Sequence, residues 1–248
     1  MFELLTPAIT TLFFASALLT SIISAITGMA GGVLLFSLMT SFMSLDMVIP
    51  IHGLVQLGSN SSRLYYLKNA LKKTMCLSFL IGAIFGATGA TWLKSQVSIP
   101  SEIPLAVVVL LIVYVLFRPK KMPSIKLQFK NYYLVGIAAG FLGIFIGTVG
   151  PFIAVFFVRD DLNKQEIISN KAFMQMMIHL TKIPAFLYLG FDYAAIASLS
   201  LLMVLGAFIG SKMGVAILNR IDQKVFMILF KSCLFLGACR LTYKIFME

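Results

Sequence analysis

The sequence predicts an all-α polytopic membrane protein with two inverted-topology repeats of about five elements each, one of them a broken or half helix in each repeat. Three observations predict it: apolar runs of bilayer length, self-similarity at a constant offset, and basic residues gathered into alternate connections. The 248-residue chain is 60% hydrophobic and 12% charged, with mean hydropathy +0.98; a soluble domain carries about 25% charged residues. The runs 7–26, 75–92, 105–117 and 194–209 approach or reach the roughly 20 residues that cross a bilayer. Strand alternation is absent, which excludes a transmembrane β-barrel.

The first repeat is expected over 1–123 and the second over 124–248, together forming one transmembrane domain. Its first element, 7–26, follows MFELLTPAIT, whose only charge is Glu3; without the basic segment of a cleavable signal it is expected to stay as a membrane helix. In TGMAGGVLLF, Gly28, Gly31 and Gly32 interrupt an apolar region, and glycine is a poor helix-interior residue. A second, short element is therefore expected over 31–45. A third over 47–68 carries polar side chains at helical spacing, and apolar helices over 74–94 and 102–118 complete the repeat. The second repeat reads 132–146, 151–158, 166–190, 194–217 and 225–243.

Writing ITGMAGGVLLF over IGTVGPFIAVF pairs Gly28 with Gly147 and Gly31 with Gly150, both 119 positions apart. The same register pairs His52 with Lys171, Gln56 with Gln175, Asn60 with His179 and Arg63 with Lys182. Further on, Gly82 and Gly86 match Gly206 and Gly210 at an offset of 124, as if five residues had been inserted. Self-similarity of this kind marks a duplicated structural unit. Five elements per repeat send the second repeat into the membrane from the opposite side.

The charges agree with that inversion. With the N-terminus outside, the basic groups Lys68, Lys72, Lys73; Arg118, Lys120, Lys121, Lys126, Lys130; Arg159, Lys164; and Arg220, Lys224 all face the cytoplasm, as the positive-inside rule requires. The external connections hold one lysine, Lys94, while Arg240 and Lys244 near an external C-terminus run against the rule. The net charge of +11 thus marks orientation in a multi-pass cell (inner) membrane protein, not nucleic-acid binding.

The second element of each repeat is too short to cross. As helices, 31–45 and 151–158 would rise about 22 and 12 Å against a hydrocarbon core of about 30 Å. Both follow a glycine break, and Pro151 suits a first helical position. Discontinuous helices of this kind present positive dipole ends to anionic substrates in secondary transporters. The other reading, close helix packing by small residues, is the expected one for Gly82/Gly86 and Gly206/Gly210.

His52, Gln56, Asn60 and Arg63 share one helix face, and Lys171, Gln175, His179 and Lys182 share another. Intramembrane cations are costly, so opposed cationic faces make sense when an anion enters between them. Arg63 has an alternative as a cytoplasmic anchor, since Lys68 follows closely. No carboxylate falls at mid-membrane: the nine acids lie near expected helix ends or connections. His52 and His179 are the side chains that could titrate near neutral pH if protons are coupled. Cys76, Cys233 and Cys239 lack metal or disulfide spacing; no cofactor and no metal are expected, and no ATP-binding loop occurs.

The break ITGMAGGVLL, the polar helix HGLVQLGSNSSRLYY and their counterparts GTVGPFIAVFF and NKAFMQMMIHLTKIP resemble the sulfite exporter TauE/SafE family. That resemblance implies a duplicated permease for sulfur-containing anions, including sulfite and organosulfonates. It implies Gly/Pro breaks at Gly28, Gly31, Gly32, Gly147, Gly150 and Pro151. It implies polar binding segments at Gln56, Asn60 and Arg63, and at Asn170, Gln175 and Lys182.

The expectation is a secondary transporter, not an enzyme, moving a small anion by alternating access, with the lipid bilayer as its other partner. An anion channel remains an alternative, and a non-transporting membrane assembly protein a more distant one. No catalytic motif supports a membrane-embedded enzyme. A homo-oligomer is compatible with the sequence.

Overall fold

The computed structural model describes residues 6–117, 126–157, 161–218 and 220–247, which are mostly helical and contain no strand. In the first half the helices are α1 (Pro7–Thr27), α2 (Ala30–Met39), α3 (Leu45–Leu67), α4 (Lys73–Gln96) and α5 (Glu102–Phe117). The second half has α6 (Tyr132–Ile146), α7 (Gly150–Ala154), α8 (Lys164–Tyr188), α9 (Ala197–Leu218) and α10 (Gln223–Met247). The chain is an all-α, multi-pass membrane protein. Four segments are long and apolar enough to cross a membrane: Pro7–Thr27, Lys73–Gln96, Phe129–Ile146 and Ala194–Leu218.

The two polar helices, α3 and α8, pack on each other at the centre, and the apolar helices wrap them. Packing recurs with the halves exchanged: α1 lies on α9 and α6 on α4, α3 on α9 and α8 on α4, α2 on α10 and α7 on α5. The α4–α6 and α1–α9 contacts are backbone-close. A Cβ on Gly82 or Gly86 would lie 1.9 or 2.0 Å from the carbonyls of Tyr133 and Ile137, and one on Gly210 would lie 2.1 Å from Leu18 O. These glycines serve close packing, as expected of small residues at helix interfaces. Large apolar side chains such as Phe85, Trp92, Leu110 and Tyr188 cover the outer face, where lipid is their solvent.

The first short element is shorter than expected. The α2 helix stops at Met39, six residues before the expected end at 45, because Thr40 turns its hydroxyl back to donate to Ser37 O at 2.7 Å. The following Ser41 and Phe42 amides donate to Leu38 O and Met39 O in tighter turns. α10 then holds this end: Lys244 Nζ donates to Thr40 O at 2.6 Å and Arg240 Nε to Ser41 Oγ at 2.7 Å. The two basic residues that strained the charge rule thus sit where cations favour a helix C-terminus. The α7 helix has five residues and tightens into a 3₁₀ turn, Val155–Phe157. The expected end of that element at 158 lies outside the described residues.

Candidate functional site

Both breaks are made by a glycine in the left-handed region. Gly28, with φ 81°, ends α1 by donating its N–H to Ser24 O at 2.7 Å. Thr27 then restarts the chain: its hydroxyl accepts from Ala30 N at 3.1 Å while donating to Ile23 O at 2.8 Å. Gly147, with φ 73°, ends α6, and α7 begins after Thr148 and Val149 with Pro151 in its first turn. Apart from half-buried Ile23, all of these residues are buried. The two breaks also meet. A Cβ on Gly150 would lie 2.9 Å from Met29 Cβ, and one on Gly147 would lie 2.4 Å from Phe36 of α2.

The polar faces of α3 and α8 close over these breaks. Gln56 covers the first turn of α2, where a Cβ on Gly32 would stand 3.2 Å from Gln56 Oε1. Gln175 covers α7 in the same way, with its Nε2 3.1 Å from a Cβ on Gly150. His52 lies 3.0 Å through Nε2 from Gly32 O; a carbonyl only accepts, so Nε2 carries the proton there. The His52 and His179 rings meet edge to face, 5.7 Å between centroids. Neither Nδ1 has a partner among the described residues.

The cations differ in what they hold. Arg63 donates from Nη1 to Ser24 O at 2.9 Å and from Nη2 to Asn60 Oδ1 at 2.7 Å, while Asn60 Nδ2 donates to Gln56 O at 2.7 Å. Lys182 donates to Gly147 O. Each cation therefore binds a carbonyl at the C-terminal end of α1 or α6, where positive charge is favoured. Lys171 behaves otherwise. Its ammonium rests against Gly28, 3.0 Å from where a Cβ would be, and it makes no hydrogen bond among the described residues. All three cations are buried, and no Asp or Glu among the described residues is. Since Arg63 is fully buried, it does not act as an anchor at the membrane surface.

The structure brings together Gly28, Gly32, Gln56, Asn60, Arg63, Gly147, Gly150, Pro151, Gln175 and Lys182, with His52 and His179 beside them. Gly31 lies at the first break but faces α1, where a Cβ would be 1.8 Å from Thr20 O. Asn170 stands apart. Its amide is consumed by the α3–α4 connection, accepting from Lys72 N at 2.9 Å and donating to Ala70 O at 3.2 Å, and by its own helix, where it donates to Glu166 O at 2.7 Å. Sequence reasoning missed Ser24, whose carbonyl takes Arg63 and whose hydroxyl, like that of Ser21, is buried without a partner. A signal existed: Ser16, Thr20, Ser24 and Thr27 fall on one helical stripe of an otherwise apolar run.

The family model described as sulfite exporter TauE/SafE matches residues 13–241. The chain belongs to the TauE/SafE family. Its membership fits a membrane transporter and not an enzyme, and agrees with a polytopic helical architecture whose buried polar groups gather at two helix breaks. No curated protein matches the chain, and no solved structure does.

Proposed function

We propose that this TauE/SafE chain is a secondary transporter that carries a small anion, a sulfur oxyanion or organosulfonate, across the cell's inner membrane by alternating access. One observation carries the proposal: Arg63, Lys171 and Lys182 are buried together with no buried carboxylate among the described residues. A charge at mid-bilayer costs at least about 2.5–3.5 kcal/mol on insertion scales, and neighbouring like charges add repulsion. An anion between them relieves both terms, so the site favours negative charge over neutral or cationic solutes.

The roles divide by what each group already holds. Arg63 and Lys182 secure the ends of α1 and α6, so the charge left for the substrate is Lys171, seated on Gly28. Gln56 and Gln175 supply amide donors to the anion's oxygens, one from each half. At the start of α2 Ala30 N donates to Thr27 Oγ1 and Gly32 N to Met29 O, which leaves the Gly31 N–H as one further donor. Pro151 has no N–H and α7 is short, so on that side the glutamine does more of the binding. If a proton accompanies the anion, the paired rings of His52 and His179 are where it would reside.

We read 1–123 and 124–248 as inverted repeats with the N-terminus outside. The reciprocal helix packing supports this, because exchange of the halves is what a twofold axis in the membrane plane would produce. Single cysteines replacing Ser98 and Gln165 in a cysteine-free background should label from opposite sides; labelling from one side removes the inversion.

Transport is tested in proteoliposomes with labelled sulfite, sulfonate, sulfate and a carboxylate under an imposed pH gradient. Saturable uptake with counterflow is expected for a sulfur anion; flux without either would make the protein a channel. Gln56→Ala, Gln175→Ala and Lys171→Gln, each normally inserted, should cut uptake by about tenfold or more, the effect of losing a hydrogen bond to a charged group. Wild-type uptake in all three would remove this site.

A further inference from the structure

We propose that the groove between the starts of α4 and α6 binds an anionic phospholipid, with its phosphate on Lys73 and Lys130 and an acyl chain along Leu77 and Ile81. The groove encloses about 450 Å³ and is lined by Lys73, Thr74, Leu77, Ser78, Ile81 and Lys130. Its two walls belong to the segments Lys73–Gln96 and Phe129–Ile146, both apolar enough to cross a membrane. Its lysines stand at the first residues of these segments, so its mouth lies at a membrane boundary. Its body faces the hydrocarbon.

The order of side chains along α4 matches the order of groups in a phospholipid. Lys73, Leu77 and Ile81 are four residues apart and so form one line along the helix. The charge comes first, and the next two turns present Leu77 at 60% exposure and Ile81 at 50%. Lys73 differs from its neighbour Lys72, which is paired with Glu166. Neither Lys73 nor Lys130 has an acidic partner among the described residues.

The position of Lys130 is built. The Ser78 hydroxyl donates to Lys130 O and accepts from Tyr133 N at 3.2 Å, which ties the start of α6 to the first turns of α4. A lysine that serves only to orient the chain needs charge on one side of the membrane. It does not need a second lysine fixed across a groove. A free phosphate would use the two charges but leave the apolar wall without a role. Basic pockets between membrane helices suit anionic headgroups for these reasons.

The test uses the purified full chain, stripped of lipid in detergent and given phosphatidylglycerol or phosphatidylcholine. Native mass spectrometry should show phosphatidylglycerol retained in preference to phosphatidylcholine, with a higher unfolding temperature in phosphatidylglycerol. The K73Q/K130Q variant should lose that preference, while K73R/K130R and the distant K231Q keep it. Equal retention of the two lipids by wild type, or undiminished preference in K73Q/K130Q, overturns the proposal. Glycerol phosphate that stabilises as well as phosphatidylglycerol overturns the lipid in favour of a soluble phosphate. Ile81→Trp keeps both charges and fills the apolar wall, so it should reduce retention even if K73Q/K130Q fails to insert; unchanged retention in it also overturns the proposal. None of these readouts depends on transport.

Discussion

The breaks at Gly28 and Gly147 occupy matching places in the two halves, yet they are held in different ways. At the first, Arg63 joins Ser24 O to Asn60, and Asn60 continues to Gln56 O, so cation, amide and backbone form one network. Thr27 caps the restart, and α2 runs for ten residues. At the second, Lys182 reaches Gly147 O, and α7 lasts five residues. The two breaks therefore share a geometry but differ in stiffness. A lysine on a flexible stem is released more easily than a guanidinium held at two nitrogens, so the second break is the one better suited to move.

The largest expected effect comes from the small residues that start the half-helices. In Gly31→Ala the new Cβ would lie 1.8 Å from Thr20 O and 2.8 Å from Ser24 N, both backbone atoms that cannot turn away. Overpacking of this kind costs about 3 kcal/mol or more, and little monodisperse protein is expected on size exclusion. In Gly150→Ala the neighbours are Met29 Cβ at 2.9 Å and Gln175 Nε2 at 3.1 Å, so the variant should fold and lose uptake. Equal yields from the two variants would erase the difference between the breaks.

Next in size is the pair of buried cations. Lys182→Met leaves Gly147 O without its donor, but it also removes a buried charge that has no acidic partner, and the relief of that desolvation offsets the one lost hydrogen bond. Its unfolding temperature should match or exceed that of wild type. Arg63→Met removes the same kind of charge but leaves Asn60 Oδ1 buried and unpaired, at about 1–3 kcal/mol. That corresponds to a fall of several degrees relative to Lys182→Met, at about 2–4 °C per kcal/mol for a chain of this size. Both should lose transport. If Arg63→Met is as stable as Lys182→Met, the first break is not the stiffer one.

How far the sequence could reach shows in the same residues. The helices α1, α4, α6 and α9 were legible because their apolar runs are local. The register that pairs Gln56 with Gln175 was legible because it repeats, and the structure sets each glutamine over a half-helix start. The end of α2 was not legible: it depends on Thr40 and on Lys244, which lies 204 residues away in the chain. Asn170, which the resemblance implies, lies off the polar face of α8. Residue 171 shares the face of 175, 179 and 182, whereas residue 170 is turned about 100° from it, toward partners at Ala70 and Lys72 that no local pattern announces. Ser24 was passed over because a hydroxyl in an apolar run reads as apolar.

A smaller contrast is expected when the left-handed glycines themselves are changed. Both positions charge an L-residue about 1–2 kcal/mol for its backbone conformation. Gly147→Ala also drives a Cβ to 2.4 Å from Phe36 Cε2 and 3.1 Å from Ile49 Cγ1, whereas Gly28→Ala meets only the Lys171 ammonium at 3.0 Å. Gly147→Ala should therefore be less stable than Gly28→Ala by about 1–3 kcal/mol in thermal or chemical unfolding. Gly28→Ala should instead raise the KM for the anion if Lys171 serves the substrate as proposed, because the new Cβ displaces its ammonium. A larger loss of stability in Gly28→Ala would mean that Lys171 is held rigidly against the break.

The smallest effect lies where the two polar helices begin. α8 opens with a capping box in which the Asn163 side chain accepts from Glu166 N and the Glu166 carboxylate accepts from Asn163 N. Lys72 pairs with the same carboxylate. The hydrogen bond from Lys72, followed by that from the Asn163 backbone, holds the Glu166 carboxyl below the usual carboxylate range. Its contribution to stability is therefore complete above the ordinary value of about 4.3 and is lost as pH falls through the depressed value. α3 opens beside a looser pair, Asp46 with Lys94 at 3.2 Å, whose aspartate side chain is 82% exposed and screened by solvent. Lys72→Gln should flatten the dependence of unfolding temperature on pH between about 5 and 3, and at neutral pH it should lower that temperature more than Lys94→Gln, which breaks an exposed pair. The reverse result would place the firmer start on α3, the helix whose break is already the more tightly networked, and would leave the second half loose at both ends of its polar helix.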